Sequence, residues 1–373
     1  MQSLDNNTQA FLALVRAGLW EQDVRLSKFG NIDYTQVLSL AEEQSVVGVV
    51  AAGLWQVADV TAPKEDVLQF VGQTLQLEQQ NQAMNQFIGV LVERMRKAGI
   101  YTLLVKGQGI AQCYEKPLWR ACGDVDLFLS DDNYEKAKEF LTPLASSVEK
   151  EYVREKHLGM TIDPWVVELH GRLYCGLSSR IEKELDNVYK DTFYGGSVRS
   201  WNNDNVQVFM LSVENDAFYV FTHILQHFYK GGIGLRQICD WCRLLWYYQD
   251  KLDLRVLEER IKRAGLMTAW KAFGAYSIDY LGMPAEAMPF YSPDIKWKRK
   301  ADRIGSFIME VGNFGHNRDK SYFQKHSYVI RKGISFSHRV CDLYHHAQIF
   351  PKDSVCFLHS IFINGIKSTI RGE

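Results

Sequence analysis

Gly123-Asp124-Val125-Asp126-Leu127-Phe128-Leu129 reads as a β-strand and carries the only Asp-x-Asp of the chain. Side chains of a strand alternate between its faces. Asp124 and Asp126 therefore share one face, while Val125, Leu127 and Leu129 share the other, apolar one. Two neighbouring carboxylates repel each other and are costly to bury unless a cation lies between them. Mg²⁺ suits that role, because it takes few protein carboxylates and completes its octahedron with water and phosphate oxygens. The pair points to phosphoryl or nucleotidyl transfer. Alone it is a common pattern, equally at home on a solvated strand end, and its neighbours give it weight.

Upstream, Thr102-Leu103-Leu104-Val105 reads as a short buried strand that Lys106-Gly107-Gln108-Gly109 ends. Residues 110–114 then offer one or two helical turns. A strand, a glycine turn and a helix start leave backbone N–H groups open to a phosphate, and Lys106 adds a point charge. The plainer alternative is a turn that needs glycine, with Lys106 in solvent. Downstream, Trp165-Val166-Val167-Glu168-Leu169-His170 reads as a second strand with Glu168 and His170 on one face. Glu168 is a candidate third metal ligand or proton acceptor, and otherwise an ordinary half-exposed strand residue.

The Lys-Gly turn, the Tyr114-to-Arg120 segment, Asp-Val-Asp-Leu and Glu-Leu-His together resemble the uncharacterised bacterial nucleotidyltransferase family of the polymerase-β-like superfamily. The resemblance extends to His223-Ile-Leu-Gln-His227 and to Gly231–Trp241, and covers roughly residues 80–270. It implies an α+β fold, a small mixed sheet flanked by helices, between helical N- and C-terminal regions. It also implies Asp124, Asp126 and Glu168 as catalytic metal ligands for Mg²⁺ or Mn²⁺, and a nucleoside triphosphate as donor. The acceptor is a sugar, a small molecule or a protein. Lys106, Gly107, Gln108 and Arg120 become candidate phosphate-binding residues, and His170, His223, His227, Arg236 and Asp240 candidate substrate-side residues. Where the superfamily usually has Gly-Ser in the phosphate turn, this chain has Gly107-Gln108. That departure keeps open a second reading, a non-catalytic nucleotide-binding or scaffolding module on the same fold.

The 373 residues suffice for two or three domains, and 46% hydrophobic with 13% aromatic residues supports sizeable cores. The expected division is a helical region over 1–98, an α/β core over 99–200 and a helical region over 201–373. A net charge of −1 gives no global electrostatic case for nucleic acid. Seven cysteines without disulfide spacing, a polar start and no apolar run of membrane-spanning length point to a cytoplasmic protein with reduced thiols. Cys239 and Cys242 read as core thiols, and His223 with His227 as core or substrate-facing, in both cases ahead of zinc ligands.

Met84, Phe87, Ile88, Leu91 and Met95 form one helical stripe that ends before Gly99. Helices are expected over 133–141, 178–193, 255–264 and 267–281, strands over 148–170, and helix again from about 206. Arg236 and Asp240 share a helix face, either as an intrahelical salt bridge or facing substrate. Lys296, Lys298, Arg299, Lys300 and Arg303 form a basic cluster, and the tail from Lys320 carries eight Lys/Arg against three Asp/Glu, suited to anionic lipid, nucleic acid or a partner protein, or simply to solvent.

Overall fold

The computed structural model describes residues 5–312 and 341–357. Four helices lead in: α1 (Asn6–Trp20), α2 (Tyr34–Glu43), α3 (Val47–Leu54) and α4 (Lys64–Lys97). The core follows as β1 (Leu103–Val105), α5 (Gly107–Ala111), β2 (Asp124–Phe128), α6 (Asp131–Leu141), β3 (Ser147–Val148), β4 (His157–Ile162), β5 (Trp165–His170), α7 (Ser179–Phe193), β6 (Val198–Asn203) and β7 (Val206–Leu211). Helices α8 (Val213–Lys230), α9 (Leu235–Tyr247), α10 (Leu254–Ala264), α11 (Met267–Leu281) and α12 (Ile295–Val311) come next, with further helix at 341–349 and 351–357.

The strands form one mixed seven-stranded sheet in the order β3-β4-β5-β2-β1-β7-β6. Strand β2 lies at its centre, antiparallel to β1 and parallel to β5. The alternation read from the sequence explains the layering. Val125, Leu127 and Leu129 enter a core with Met84, Ile88, Leu91 and Met95 of α4 and with Tyr134, Ala137 and Leu141 of α6. Phe128, on the other face, joins a larger core built with α1, α7, α8, α9 and α11. The Asp-x-Asp face therefore looks toward the C-terminal helices, at the end of the strand where that core has not closed.

Two expectations change. Residues 206–211 form a strand, not the start of a helix: Val208 and Met210 pack on α4 beside Leu104, and β7 pairs with β1. The sheet thus continues to Leu211, and the boundary expected at 200 lies inside β6. In the basic cluster, Lys300 and Arg303 donate to the carbonyls of Ile349 and Gln348, so part of it anchors the 341–357 segment. The tail over 313–340 and 358–373 lies outside the described residues. No helix among the described residues is long and apolar enough to cross a membrane.

Candidate active site

Strand register builds one wall of a cavity. The parallel pairing of β2 with β5 sets Asp126 opposite Glu168, and antiparallel β4 sets His157 opposite His170. Donor side chains on three adjacent strands therefore share one face. The opposite wall comes from α8 and α9. Gly232 between them takes a left-handed φ of 94°, which lets α8 end and α9 begin at Leu235. The Gln44 side chain accepts from the Leu235 amide, tying this helix start to the N-terminal bundle. The cavity between the walls, about 390 Å³, is lined by Lys106, Gly107, Arg120, Asp124, Asp126, Glu168, His170, His223, His227, Arg236 and Asp240. All the candidate residues but Gln108 thus converge on it.

Gln108 is turned inward. It is buried, and its Nε2 donates to Asn81 of α4 at 2.7 Å. Asn81 in turn donates to the carbonyls of Leu118 and Arg120, so the residue expected at a phosphate instead braces the frame behind the site. Lys106 also departs from expectation. It sits at a left-handed φ of 58° before Gly107 at 44°, a conformation that costs a non-glycine residue energy. That backbone directs its ammonium to Asp126 Oδ1 at 2.8 Å. Burial alone would lower the Lys106 pKa, but Asp126, helped by Tyr219 and Asp124, raises it, so the amine is held charged.

Arg120 and Asp240 are engaged with each other. Arg120 Nε and Nη2 donate to the Asp240 carboxylate at 3.0 and 2.6 Å, and Tyr114 adds a third bond at 2.9 Å. Both residues line the cavity as a buried ion pair. Arg236 is therefore not paired with Asp240. Its Nη1 donates to the Ala121 carbonyl at 3.0 Å, and its buried Nε has no partner among the described residues.

The carboxylates differ in state. Asp126 is 2% exposed, and both His170 Nε2 and Lys106 reach the same oxygen, Oδ1, at 2.8 Å. Burial pushes its pKa up, yet Lys106 and His170 outweigh that and hold it below the usual carboxylate range. Asp124 has no ion-pair partner among the described residues; burial and then the Asp126 charge push its carboxyl up. Glu168 is held well below its ordinary value by hydrogen bonds from His157 and His170. The tight ligand cluster among the described residues is accordingly His157, Glu168 and His170, whose donor atoms lie within 4.8 Å of one another. All three acids line the one cavity, where the Asp124/Asp126 pair stands beside the His-Glu-His group. His157 was not legible as a site residue, because only strand pairing brings it to His170.

His223 and His227 place Nε2 within 3.1 Å of Nε2, one ring donating to the other. Burial lowers both, with Lys106 adding, and His227 falls to about 4. A histidine whose folded pKa is depressed gives stability that is complete above the unfolded value of 6.5 and lost as pH falls from there toward 4. Acidification from pH 7 to 5 is expected to cost wild type about 2 kcal/mol more than His227→Gln. Urea unfolding of both proteins across that range measures the difference, and parallel stability curves would refute the depressed pKa.

Cys239 and Cys242 are buried in α9 as free thiols, away from any ligand cluster among the described residues. The chain matches no curated protein and no solved structure. Residues 30–277, more than half of the chain, match the sequence profile of a family described as uncharacterised nucleotidyltransferases, and the protein belongs to that family.

Proposed function

We propose that the protein is a metal-dependent nucleotidyltransferase that moves a nucleoside monophosphate from a nucleoside triphosphate to a hydroxyl-bearing acceptor. The observation that carries this reading is the facing of two walls across one cavity: Asp124 and Asp126 on the sheet, Arg236 and a neutral histidine pair on the helices. The donor set fits a hard divalent cation. Asp124 lacks a counter-ion among the described residues, and Lys106 and His170 both meet Asp126 at Oδ1. Asp124 and Asp126 would hold Mg²⁺ or Mn²⁺, which supplies charge neutralisation for the donor phosphates and a lowered pKa for the acceptor hydroxyl.

The chain's own groups then have distinct tasks. The Arg236 guanidinium, which lines the cavity, contacts phosphate oxygens. Lys106 keeps Asp126 ionised and adds positive charge beside the phosphates. Glu168 stays anionic and is a weak base, so it acts through charge; the neutral His223–His227 pair, one ring donating to the other, presents one ring nitrogen as acceptor on the acceptor side. The acceptor hydroxyl passes its proton to a ring nitrogen of the histidine pair as its oxygen bonds to the α-phosphorus, the bond to the bridging oxygen of the β-phosphate breaks, and pyrophosphate leaves. Most of the rate gain comes from positioning and preset charge.

The test is thermal stabilisation of the purified protein by nucleoside triphosphates and sugar nucleotides, with and without Mg²⁺ or Mn²⁺, followed by a pyrophosphate-release assay over sugar, small-molecule and protein acceptors. Metal-dependent stabilisation by one nucleotide is expected. Stabilisation without metal, and no pyrophosphate with any acceptor, would favour a binding module instead. Arg236→Ala is expected to weaken triphosphate binding by about 10- to 100-fold, as a charge-assisted contact is lost, and to leave nucleoside binding unchanged. Equal losses for both ligands would remove Arg236 from the phosphate site.

A further inference from the structure

We propose that His157, Glu168 and His170 form a site for one divalent transition-metal ion, beside the all-oxygen Asp124/Asp126 pair. The first argument is the scaffold. The donors stand on β4 and β5, at positions fixed by strand register: His157 lies opposite His170, and Glu168 is paired on its other side with Asp126 of β2. No donor comes from a loop, so the group is held by backbone pairing.

The second argument is spacing. His157 Nε2 lies 3.2 Å and His170 Nε2 3.5 Å from the same oxygen, Glu168 Oε2. His170 Nε2 lies 2.8 Å from Asp126 Oδ1. Ligands at about 2.0–2.2 Å from a common ion, at octahedral or tetrahedral angles, are about 3–3.5 Å apart. The side chains already stand at separations suited to ligands of one centre, with two imidazoles aiming the same ring nitrogen at one oxygen.

The third argument is donor chemistry. Two imidazoles and a carboxylate suit Zn²⁺, Fe²⁺ or Co²⁺, whereas Mg²⁺ selects oxygen. His157 and Glu168 are 24% and 28% exposed and line the cavity, so an ion and water can reach them. Glu168 then belongs to the histidine site, and two unlike ions flank Asp126. This inference stands without the nucleotidyl-transfer reading, since it concerns metal binding alone.

The experiment titrates the chelator-stripped full-length protein with Co²⁺, read by its visible absorption, and with Zn²⁺ by calorimetry. One equivalent of Co²⁺ is expected to bind with the spectrum of mixed nitrogen and oxygen ligation, to be displaced by Zn²⁺ and to resist millimolar Mg²⁺. His157→Ala should weaken binding by at least about 100-fold, the upper range for losing even an outer-shell partner of a metal ligand. His157→Asn, which keeps a similar shape, should do the same, and thermal melts of both variants establish that they fold. Asp124→Asn should bind Co²⁺ as wild type does. Unchanged Co²⁺ affinity in folded His157→Ala overturns the site. So does loss of Co²⁺ binding confined to Asp124→Asn, which would place the ion on the carboxylate pair and leave the proposed reaction untouched.

Discussion

Asp126→Asn, measured in the presence of chelator, is expected to destabilise the protein by about 3–5 kcal/mol, the usual cost of removing one partner from a buried ion pair. Two adjacent carboxylates suggest the opposite, because deleting one of a repelling pair relieves strain. The position of Lys106 reverses the sign. Its ammonium sits 2.8 Å from Asp126 Oδ1, with a side chain 16% exposed, and asparagine would leave that charge without a counter-ion. His170 loses its charged acceptor on the same oxygen. The Asp126 pKa is lowered from 3.8, so its contribution is present above that value and is lost as pH falls through the folded pKa. Urea unfolding at pH 7 should therefore separate wild type from variant, and the gap should narrow in acid. The double variant Lys106→Met, Asp126→Asn should recover part of the loss. A single variant within 1 kcal/mol of wild type, on the order of measurement scatter between neutral surface substitutions, would mean the pair does not form in solution.

The same comparison shows why only part of the site was legible in the sequence. Strand alternation suffices to put Asp124 and Asp126 on one face and Val125 and Leu127 on the other, and the α4 stripe suffices to find the layer behind them. Both are local periodicities. What was missed depends on pairing between distant segments. Arg120 and Asp240 are 120 positions apart, and their bidentate contact pre-empts the local Arg236–Asp240 pair that helix spacing suggests. His157 becomes a donor only through antiparallel register with His170. Gln108 looks outward as part of a glycine turn, but the short helix α5 rotates it toward Asn81. Strand β7 runs almost directly into α8, so its apolar residues merge with those of the helix and the change of period is hidden. Local pattern thus gives the sheet face, and long-range packing decides which polar groups on it remain open to a ligand.

Asp124→Asn is expected to abolish metal-dependent nucleotide binding and to cut any transferase activity by at least about 10²-fold, the scale for losing one preset electrostatic group. Its stability should be unchanged or higher, in contrast to the neighbouring substitution. Asp124 is half-buried, lies beside the Asp126 charge and has no ion-pair partner among the described residues; burial first, and then Asp126, raise its pKa above 3.8. A carboxyl whose folded pKa is raised is favourable while protonated, and its stability is lost as pH rises from the unfolded toward the folded value. At neutral pH the ionised Asp124 therefore costs stability unless a cation is bound, and asparagine removes that cost. Added Mg²⁺ with nucleotide should raise the melting temperature of wild type and leave that of Asp124→Asn where it was. Undiminished Mg²⁺-nucleotide binding by the variant would take Asp124 out of the metal site. A stability loss as large as that of Asp126→Asn would mean that Asp124 has a counter-ion in solution, and the asymmetry between the two aspartates would fail with it.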